Sequence, residues 1–536
     1  MPAGTGQATL VRHGLFGIEP DLMNGRLMIR PGFPASWKQA SLETKDLIYR
    51  FERQGNKDVY ILIPTFQRKP EMLLELPVRG DRVRSLTLNG KNISYMLKDR
   101  AVAFPKLVVN AAMVDTCEIV VEWDGKPVQP EPVSMTVAKG QTYRLDLSGA
   151  TGEWYDPEAI LGRDQRWQNH QLMGTVTGEL GHRTLFVRMK QGLMKWWQPI
   201  DLTVIPPVEC LNQGDDAVLT VKLVNHLQYP LKGRFYVNES SKSVPVSLEG
   251  GGSRLLRFGK DMERFGTNRL YLQTSDTTYQ FDAINWNVQN KAETRYEPVD
   301  LSGLFNERLR NIYAYGKYLS PRWPYTTLQV PTQGMGQWTN PKALSIIDDK
   351  GLSAKAGVEG RFVLPQGIPF ATPGDTLSKN VILTTLWDNY PDEVTIPVSG
   401  NASSVYFMVA ASTYYMQSHF VNGLLTVTYQ DSTKDTLKLV LPDNLLPLDQ
   451  DIFIDGYAFR CATPRPYRIR LKTGTVSKNH AEALGLTMSN DPLIVDGGMA
   501  TVLDMPLNKQ KKLSSISLKT TANEVIIGLM AATLVR

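Results

Sequence analysis

The sequence predicts an all-β chain of several consecutive β-sandwiches with little helix. Three observations carry that expectation. At 536 residues the chain is too long for one core, and a prior of about 150 residues per domain gives three or four. Its 42 glycines and 33 prolines are spread along the chain as punctuation rather than gathered in one linker. Its apolar runs are short, rich in β-branched and aromatic residues and bounded by turn residues, while long helical periodicity is scarce.

Taken in order, residues 1–126 form a first unit. Strands are predicted at 47–53 and 58–64, joined by Gln54-Gly55-Asn56, a hairpin turn. Further strands follow at 84–88, closed by Asn89-Gly90, and at 116–123, closed by Asp124-Gly125. Pro127, Pro130 and Pro132 mark a boundary, because three prolines in six residues cannot continue a sheet interior. Residues 127–206 read as an immunoglobulin-like sandwich, with strands at 143–147, 184–189 and 200–204. Pro206-Pro207 is a second boundary, and residues 207–296 read as an immunoglobulin-like accessory domain. Gly250-Gly251-Gly252 precedes no helix there, so it is a turn and not a phosphate cradle.

Residues 297–536 form the last unit. It opens on a helix-like piece at 302–313, followed by Ser320-Pro321-Arg322-Trp323-Pro324-Tyr325, Gln333-Gly334-Met335-Gly336-Gln337-Trp338 and Ile347-Asp348-Asp349. Strands are predicted at 381–387, 405–410 and 424–429, separated by Asp388-Asn389-Tyr390-Pro391, Ser399-Gly400-Asn401 and Asn422-Gly423. More follow at 467–472, 515–519 and 524–534, and eight to ten strands in one segment suit a jelly roll.

Two stretches resemble known families. Leu27, Ile29, Pro31, Pro34 and Trp37, after the Leu15-Phe16-Gly17 corner, resemble the strand that opens the C-terminal β-sandwich of many glycoside hydrolases and disaccharide phosphorylases. In those enzymes the sandwich follows an (α/α)6 barrel. The resemblance therefore implies a catalytic barrel before residue 1 and makes Met1 an internal position of a longer enzyme. The second stretch comprises Trp387-Asp388-Asn389-Tyr390-Pro391, Thr413 with Met416-Gln417-Ser418, Asn422-Gly423 and the closing 523–534 segment. It resembles the C-terminal jelly roll of a domain-of-unknown-function family found in glycosidase-like proteins of polysaccharide-degrading gut bacteria. Leu445-Leu446 stands where tryptophans are usual in that family, and Thr339 follows Trp338 where a cysteine is common. Together the resemblances imply carbohydrate processing, an extracytoplasmic location, and a poly- or oligosaccharide and a catalytic (α/α)6 barrel as partners. They assign no reaction.

Composition narrows the remaining classes. The net charge of +6, from 59 basic and 53 acidic residues, is mild, and the basic run at 509–512 is short, so nucleic-acid binding is disfavoured. Cys117, Cys210 and Cys461 are far apart and odd in number, without a CxxC pair, so each is expected to act as a small buried hydrophobe. No apolar run reaches the length of about 18–20 residues needed for a membrane span. The first 21 residues lack the basic start and apolar core of a signal peptide, so either the protein is cytosolic or an N-terminal part lies outside this chain.

HExxH, GxSxG, the P-loop and the Rossmann fingerprint are absent, the histidines never fall at metal-ligand spacing, and no cofactor or metal is expected. A glycosidase needs two carboxyl groups about 5 Å apart for retention, or about 6.5–9.5 Å for inversion. The candidates by context are Asp156 and Glu158 beside Trp154-Tyr155, Asp348 with Asp349, and Asp388 beside Trp387. Each also fits an ordinary turn. Sugar binding asks instead for aromatic faces to meet C–H surfaces and for polar groups to meet hydroxyls. Trp387, Asp388, Asn389 and Tyr390 supply that mixture on one loop, with His419 and Asn422 expected on the next turn. The same loop also fits the plug of a sandwich end. Trp196 and Trp197, in a stretch with His170, His182 and Arg183, offer a second aromatic platform or an ordinary immunoglobulin-like core.

Overall fold

The computed structural model describes residues 9–536 except 170, 214–217, 239, 289–293, 314–319, 326–345, 414–416, 452–462 and 487–493. The expectations for His170, for 333–338 with Thr339, for Met416 and for Cys461 lie outside the described residues. The chain is all-β and divides into two units, residues 1–207 with 226–228, and residues 208–225 with 229–536.

In the first unit a six-stranded sheet runs in the order Gln39–Glu43, Leu47–Gln54, Lys57–Pro64, Cys117–Pro127, Gly80–Leu88, Lys91–Asn92. A five-stranded sheet contains Arg26–Ile29, Glu71–Pro77 and Lys106–Ala112. Alternation sets their faces: Leu47, Tyr49 and Phe51 are buried while Arg50 and Glu52 are exposed. The hairpin turns at Gly55-Asn56 and Asn89-Gly90 close as predicted, with φ of +51° and +76° at Asn89 and Gly90, the signature of a type I′ turn. Asp124-Gly125 does not close a strand. It forms an irregularity inside Cys117–Pro127, where Gly125 has φ +78° and a Cβ would meet the Asp81 carboxylate. Leu27, Ile29 and Pro31 are buried, while Trp37 is partly exposed and stacks on Phe33. A four-stranded and a three-stranded sheet follow within residues 133–205.

The second unit begins with a three-stranded and a four-stranded sheet between Val208–Asn212 and Thr278–Asn285. Gly250-Gly251-Gly252 joins two of these strands as a turn, as predicted. Beyond residue 295 a seven-stranded sheet faces a four-stranded one. The first runs in the order Tyr296–Pro298, Ile526–Val535, Ser404–Ser412, Met499–Pro506, Arg468–Arg470, Thr475–Ser477, with Ile382–Thr385 also paired to Ile526–Val535. The second runs Glu393–Pro397, Leu513–Thr520, Val421–Tyr429, Lys434–Val440. Ser404–Ser412 and residues 526–534 are buried on both faces, so they read as unbroken apolar runs rather than as alternation.

Two further local expectations are corrected. The 302–313 piece is not a helix beyond the single turn Leu309–Asn311. Asn306 instead acts as an edge partner: its amide donates to the Leu383 carbonyl at 2.9 Å and its oxygen accepts the Leu383 N–H at 2.8 Å. Those bonds, with the Glu307–Val381 bridge, hold the segment extended against Ile382–Thr385. Asn422-Gly423 is likewise no turn and lies inside Val421–Tyr429, at a bulge. Among the described residues no helix is long and apolar enough to cross a membrane.

Candidate functional site

The 387–391 turn links Ile382–Thr385 of the seven-stranded sheet to Glu393–Pro397 of the facing sheet. Its two aromatic rings are committed to the interior. Trp387 is 4% exposed and its indole N–H donates to the Asn523 carbonyl at 2.9 Å. Tyr390 is 6% exposed and its hydroxyl donates to Glu307 at 2.9 Å. Buried indole and phenol groups seek a polar partner, and both have one here, which leaves neither ring a face for a sugar. Asp388 and Asn389 are the exposed pair on this turn.

His419 and Asn422 come to the same end of the sandwich through residues 520–523. The Thr520 N–H donates to the Asp392 carbonyl at 2.9 Å, and the Thr521 N–H donates to the Asn422 carbonyl at 2.9 Å. Asn422 is fully buried and its amide donates to the carbonyls of Gln417 and Phe420 at 3.0 and 3.1 Å, so it shapes the bend rather than facing solvent. His419 is exposed, at a φ of +61°.

The segment Ser320-Pro321-Arg322-Trp323-Pro324-Tyr325 carries no recognised motif in the sequence. It straps across the 387–391 turn. The Arg322 N–H donates to the Leu386 carbonyl at 2.7 Å, and the Asp388 N–H donates to the Ser320 carbonyl at 3.1 Å. The Arg322 guanidinium bonds the carbonyls of Thr385 at 3.3 Å and Trp387 at 3.1 Å, and that of Tyr390, with the Asp392 carboxylate 3.6 Å away. Arginine suits this task because its planar fork of donors satisfies carbonyls on both limbs of a turn at once.

The strap leaves Trp323 89% exposed and Tyr325 40% exposed. A tryptophan so open, on a turn tied down by backbone bonds, is the unusual residue of this surface. Beside it Lys519 pairs with Glu393 at 3.2 Å; that carboxylate, then Asp392 and Tyr325, hold the ammonium above its ordinary range. The end of the sandwich therefore presents aromatic faces together with the polar groups of Asp388, Asn389, Glu393 and Lys519. A signal was available in the sequence: prolines on both sides of Arg322-Trp323, next to Tyr325, in a segment without strand patterning.

Trp196 and Trp197 belong to the first unit and form no platform. As successive residues of Met194–Ile205 they point to opposite faces of the sheet. Trp196 is 5% exposed, with its N–H donating to Gln198 at 3.2 Å. Trp197 is half-buried beneath the Arg188 guanidinium, 5.3 Å from its ring centroid.

Four of the candidate acids hold backbone or buried partners. Asp156 accepts the N–H groups of Ile160 and Leu161 at 3.0 and 2.9 Å, closing a turn. Glu158 accepts the Thr184 N–H at 3.0 Å and pairs with Arg183 at 3.1 Å. Asp349 is buried, receiving Arg310 at 2.7 Å and Asn380 at 2.6 Å, and Asp348 accepts the Lys350 N–H at 3.1 Å where Lys350–Ala356 begins. Among the described residues no group of three or more His, Cys, Asp or Glu could hold a metal. Cys117 is buried as expected; Cys210 is only half-buried, and desolvation pushes its thiol up to about 12.

No family model matches the chain, and no curated protein matches it. Similar solved structures include the N-terminal eight Ig domains of Down syndrome cell adhesion molecule, at 10% identity over 50% of this chain and 54% of that one, with a TM-score of 0.14. Escherichia coli α-2-macroglobulin activated by porcine elastase is similar at 10% identity over 48% of this chain and 34% of that one, with a TM-score of 0.15. A structure with a xylogluco-oligosaccharide is similar at 6% identity over 89% of this chain and 96% of that one, with a TM-score of 0.20. The chain spans about half the length of the first of these and a third of the second.

Proposed function

We propose that the chain is a non-catalytic, multi-sandwich region of a polysaccharide-degrading system that binds glycan at the end of its last sandwich. The observation that carries the reading is Trp323, 89% exposed on a strap that Arg322 pins to the 387–391 turn. An indole face can stack on the C–H surface of a sugar, with Tyr325, Asp388 and Asn389 placed to meet hydroxyls. The preformed strap lowers the ordering cost of binding. The division into 1–126, 127–206, 207–296 and 297–536, the extracytoplasmic location and a catalytic (α/α)6 barrel as partner belong to the same proposal. The resemblance around Leu27 to Trp37 supports the barrel.

Calorimetric titration with β-glucan and xyloglucan oligosaccharides tests the site. The wild-type chain is expected to bind at least one of them, and Trp323→Ala to weaken that binding at least tenfold, about 1.4 kcal/mol or more. Equal affinities would remove Trp323 from the role, and robust hydrolysis by the purified chain would overturn the non-catalytic reading. A reading frame that continues upstream of Met1 into helical-barrel sequence is the expected genomic result for the partner.

A further inference from the structure

Asparagine is followed by glycine three times in the chain, at 24–25, 89–90 and 422–423. Such a pair is chemically labile, because glycine has no Cβ to shield its backbone nitrogen from the preceding side-chain amide. The reaction asks three things of the fold: an amide carbon open to attack, a glycine nitrogen with room to approach it, and a backbone loose enough to close the ring.

The three sites meet these needs differently. Asn422 is fully buried, and its amide donates to the carbonyls of Gln417 and Phe420. Asn89 is exposed but held at each polar group. Its backbone N–H donates to the Glu118 carbonyl at 2.8 Å, its amide donates to the Thr116 carbonyl at 2.9 Å, and its side-chain oxygen accepts the Glu118 N–H at 2.8 Å. Turning that side chain toward Gly90 would break the last two bonds at once. Asn24 ends the single turn Leu22–Asn24 between Ile18–Asp21 and Arg26–Ile29, and every residue from Asp21 to Arg26 is exposed. Its amide nitrogen donates to the Asp21 carboxylate, 2.9 and 3.0 Å from the two oxygens, and its side-chain oxygen accepts no bond among the described residues. A Cβ on Gly25 would meet nothing within 4 Å, so the nitrogen has open space beside it. One bond opposes the reaction, from the Gly25 N–H to the Leu22 carbonyl at 3.1 Å. It closes an isolated turn and has no helical neighbour to reinforce it.

We propose that Asn24 is a site of spontaneous covalent modification, passing through a succinimide to aspartate and isoaspartate, while Asn89 and Asn422 stay intact in the folded chain. The Gly25 nitrogen gives its proton to hydroxide and bonds to the Asn24 Cγ; the Cγ–Nδ2 bond breaks and ammonia leaves. Water then opens the ring. Breaking the new bond to Cγ gives aspartate, and breaking the bond from the nitrogen to the main-chain carbonyl carbon of residue 24 gives isoaspartate. One water is consumed and one ammonia released, with no change of oxidation state. Either product sets a second carboxylate against Asp21, which loses both donors and gains a like charge. Isoaspartate also adds a backbone atom just before Gly25, whose carbonyl accepts the Glu71 N–H at 2.8 Å. The modification therefore reaches the start of Glu71–Pro77, the strand that pairs with Arg26–Ile29.

The test is incubation of the whole chain in mildly alkaline buffer, followed by peptide mapping with mass spectrometry and isoaspartyl methyltransferase labelling. Asn24 is expected to convert at least about tenfold faster than Asn89 and Asn422. In denaturant the three pairs are expected to react alike, so that the fold is the source of the difference. Asn24→Gln should abolish the conversion at that position, and the Glu71 amide should exchange its hydrogen faster in the modified chain than in the fresh one. Conversion of Asn89 or Asn422 at the rate of Asn24 in the folded chain, or an Asn24 that stays intact while the denatured chain converts, would overturn the inference. Unchanged exchange at Glu71 in the modified chain would overturn the disturbance of its strand.

Discussion

Trp323 and Trp387 carry the same side chain and have opposite fates, and the difference lies in what their neighbours do. Trp387 ends a strand and finds the Asn523 carbonyl behind it; Trp323 sits on a strap whose inward-facing group is Arg322. Trp387→Ala is expected to cost about 3–5 kcal/mol by denaturant unfolding, as for other large buried aromatics. Trp323→Ala is expected to stay within about 0.5 kcal/mol of wild type. The reverse ordering would put Trp323 in the packing and Trp387 back among the candidates for a ligand. Sequence points to this loop through its mixture of aromatic and polar residues, but periodicity cannot say which ring on a turn faces inward. Asp388, Asn389 and His419 remain at the surface, whereas Tyr390 and Asn422 became part of the support.

At the scale of elements, strands were legible and their edges were not. Cross-strand alternation located Leu47–Gln54 and Lys57–Pro64 to within a residue, because a half-buried sheet writes its pleat into the sequence. The 302–313 piece has helix-like spacing, yet Asn306 makes two bonds to Leu383 that only the extended arrangement allows. Asn306→Ala is expected to cost about 1–3 kcal/mol, because it strips the Leu383 N–H and carbonyl of their partner. Hydrogen exchange at Leu383 should rise relative to that at Leu529, on the neighbouring strand of the sheet. Burial also lowers the affinity of His480, at the start of His480–Ala483, for a proton, and the nearby Arg468 charge adds to that. The unfolded chain binds that proton more readily than the folded one, so the neutral ring contributes stability above pH 6.5 that is lost as pH falls below it. His480→Gln should flatten the loss of Tm between neutral and mildly acidic pH; an unchanged acid limb would exclude His480 as its source.

At the scale of the molecule, the second unit is held together by a short plug. Phe265 is fully buried against Trp286 and Tyr467, with ring centroids 5.0 and 5.9 Å away, while Gly266 beside it has φ +92°. A Cβ on Gly266 would lie 2.5 Å from the Asp504 carboxyl carbon. Only glycine combines that dihedral with that approach. Gly266→Ala is expected to destabilise this unit by about 2–4 kcal/mol, through backbone strain and displacement of Asp504. Calorimetric scanning should show a lower transition for the second unit and leave that of the first unit in place. A uniform shift of all transitions would mean that the two units unfold together.

The sequence by itself determined the fold class and a number of strands and tight turns, because these depend on residues near in the chain: alternation, β-branching and glycine at positive φ. It also lacks the common nucleotide-binding and metal motifs, and it directs attention to the 387–391 turn but not to the strap that carries Trp323. Tertiary structure decided which aromatics are buried, which carboxylates are spent on backbone N–H groups, and that Arg264 meets Asp504 across 240 residues. Those outcomes rest on contacts between distant segments, and local pattern carries no record of them.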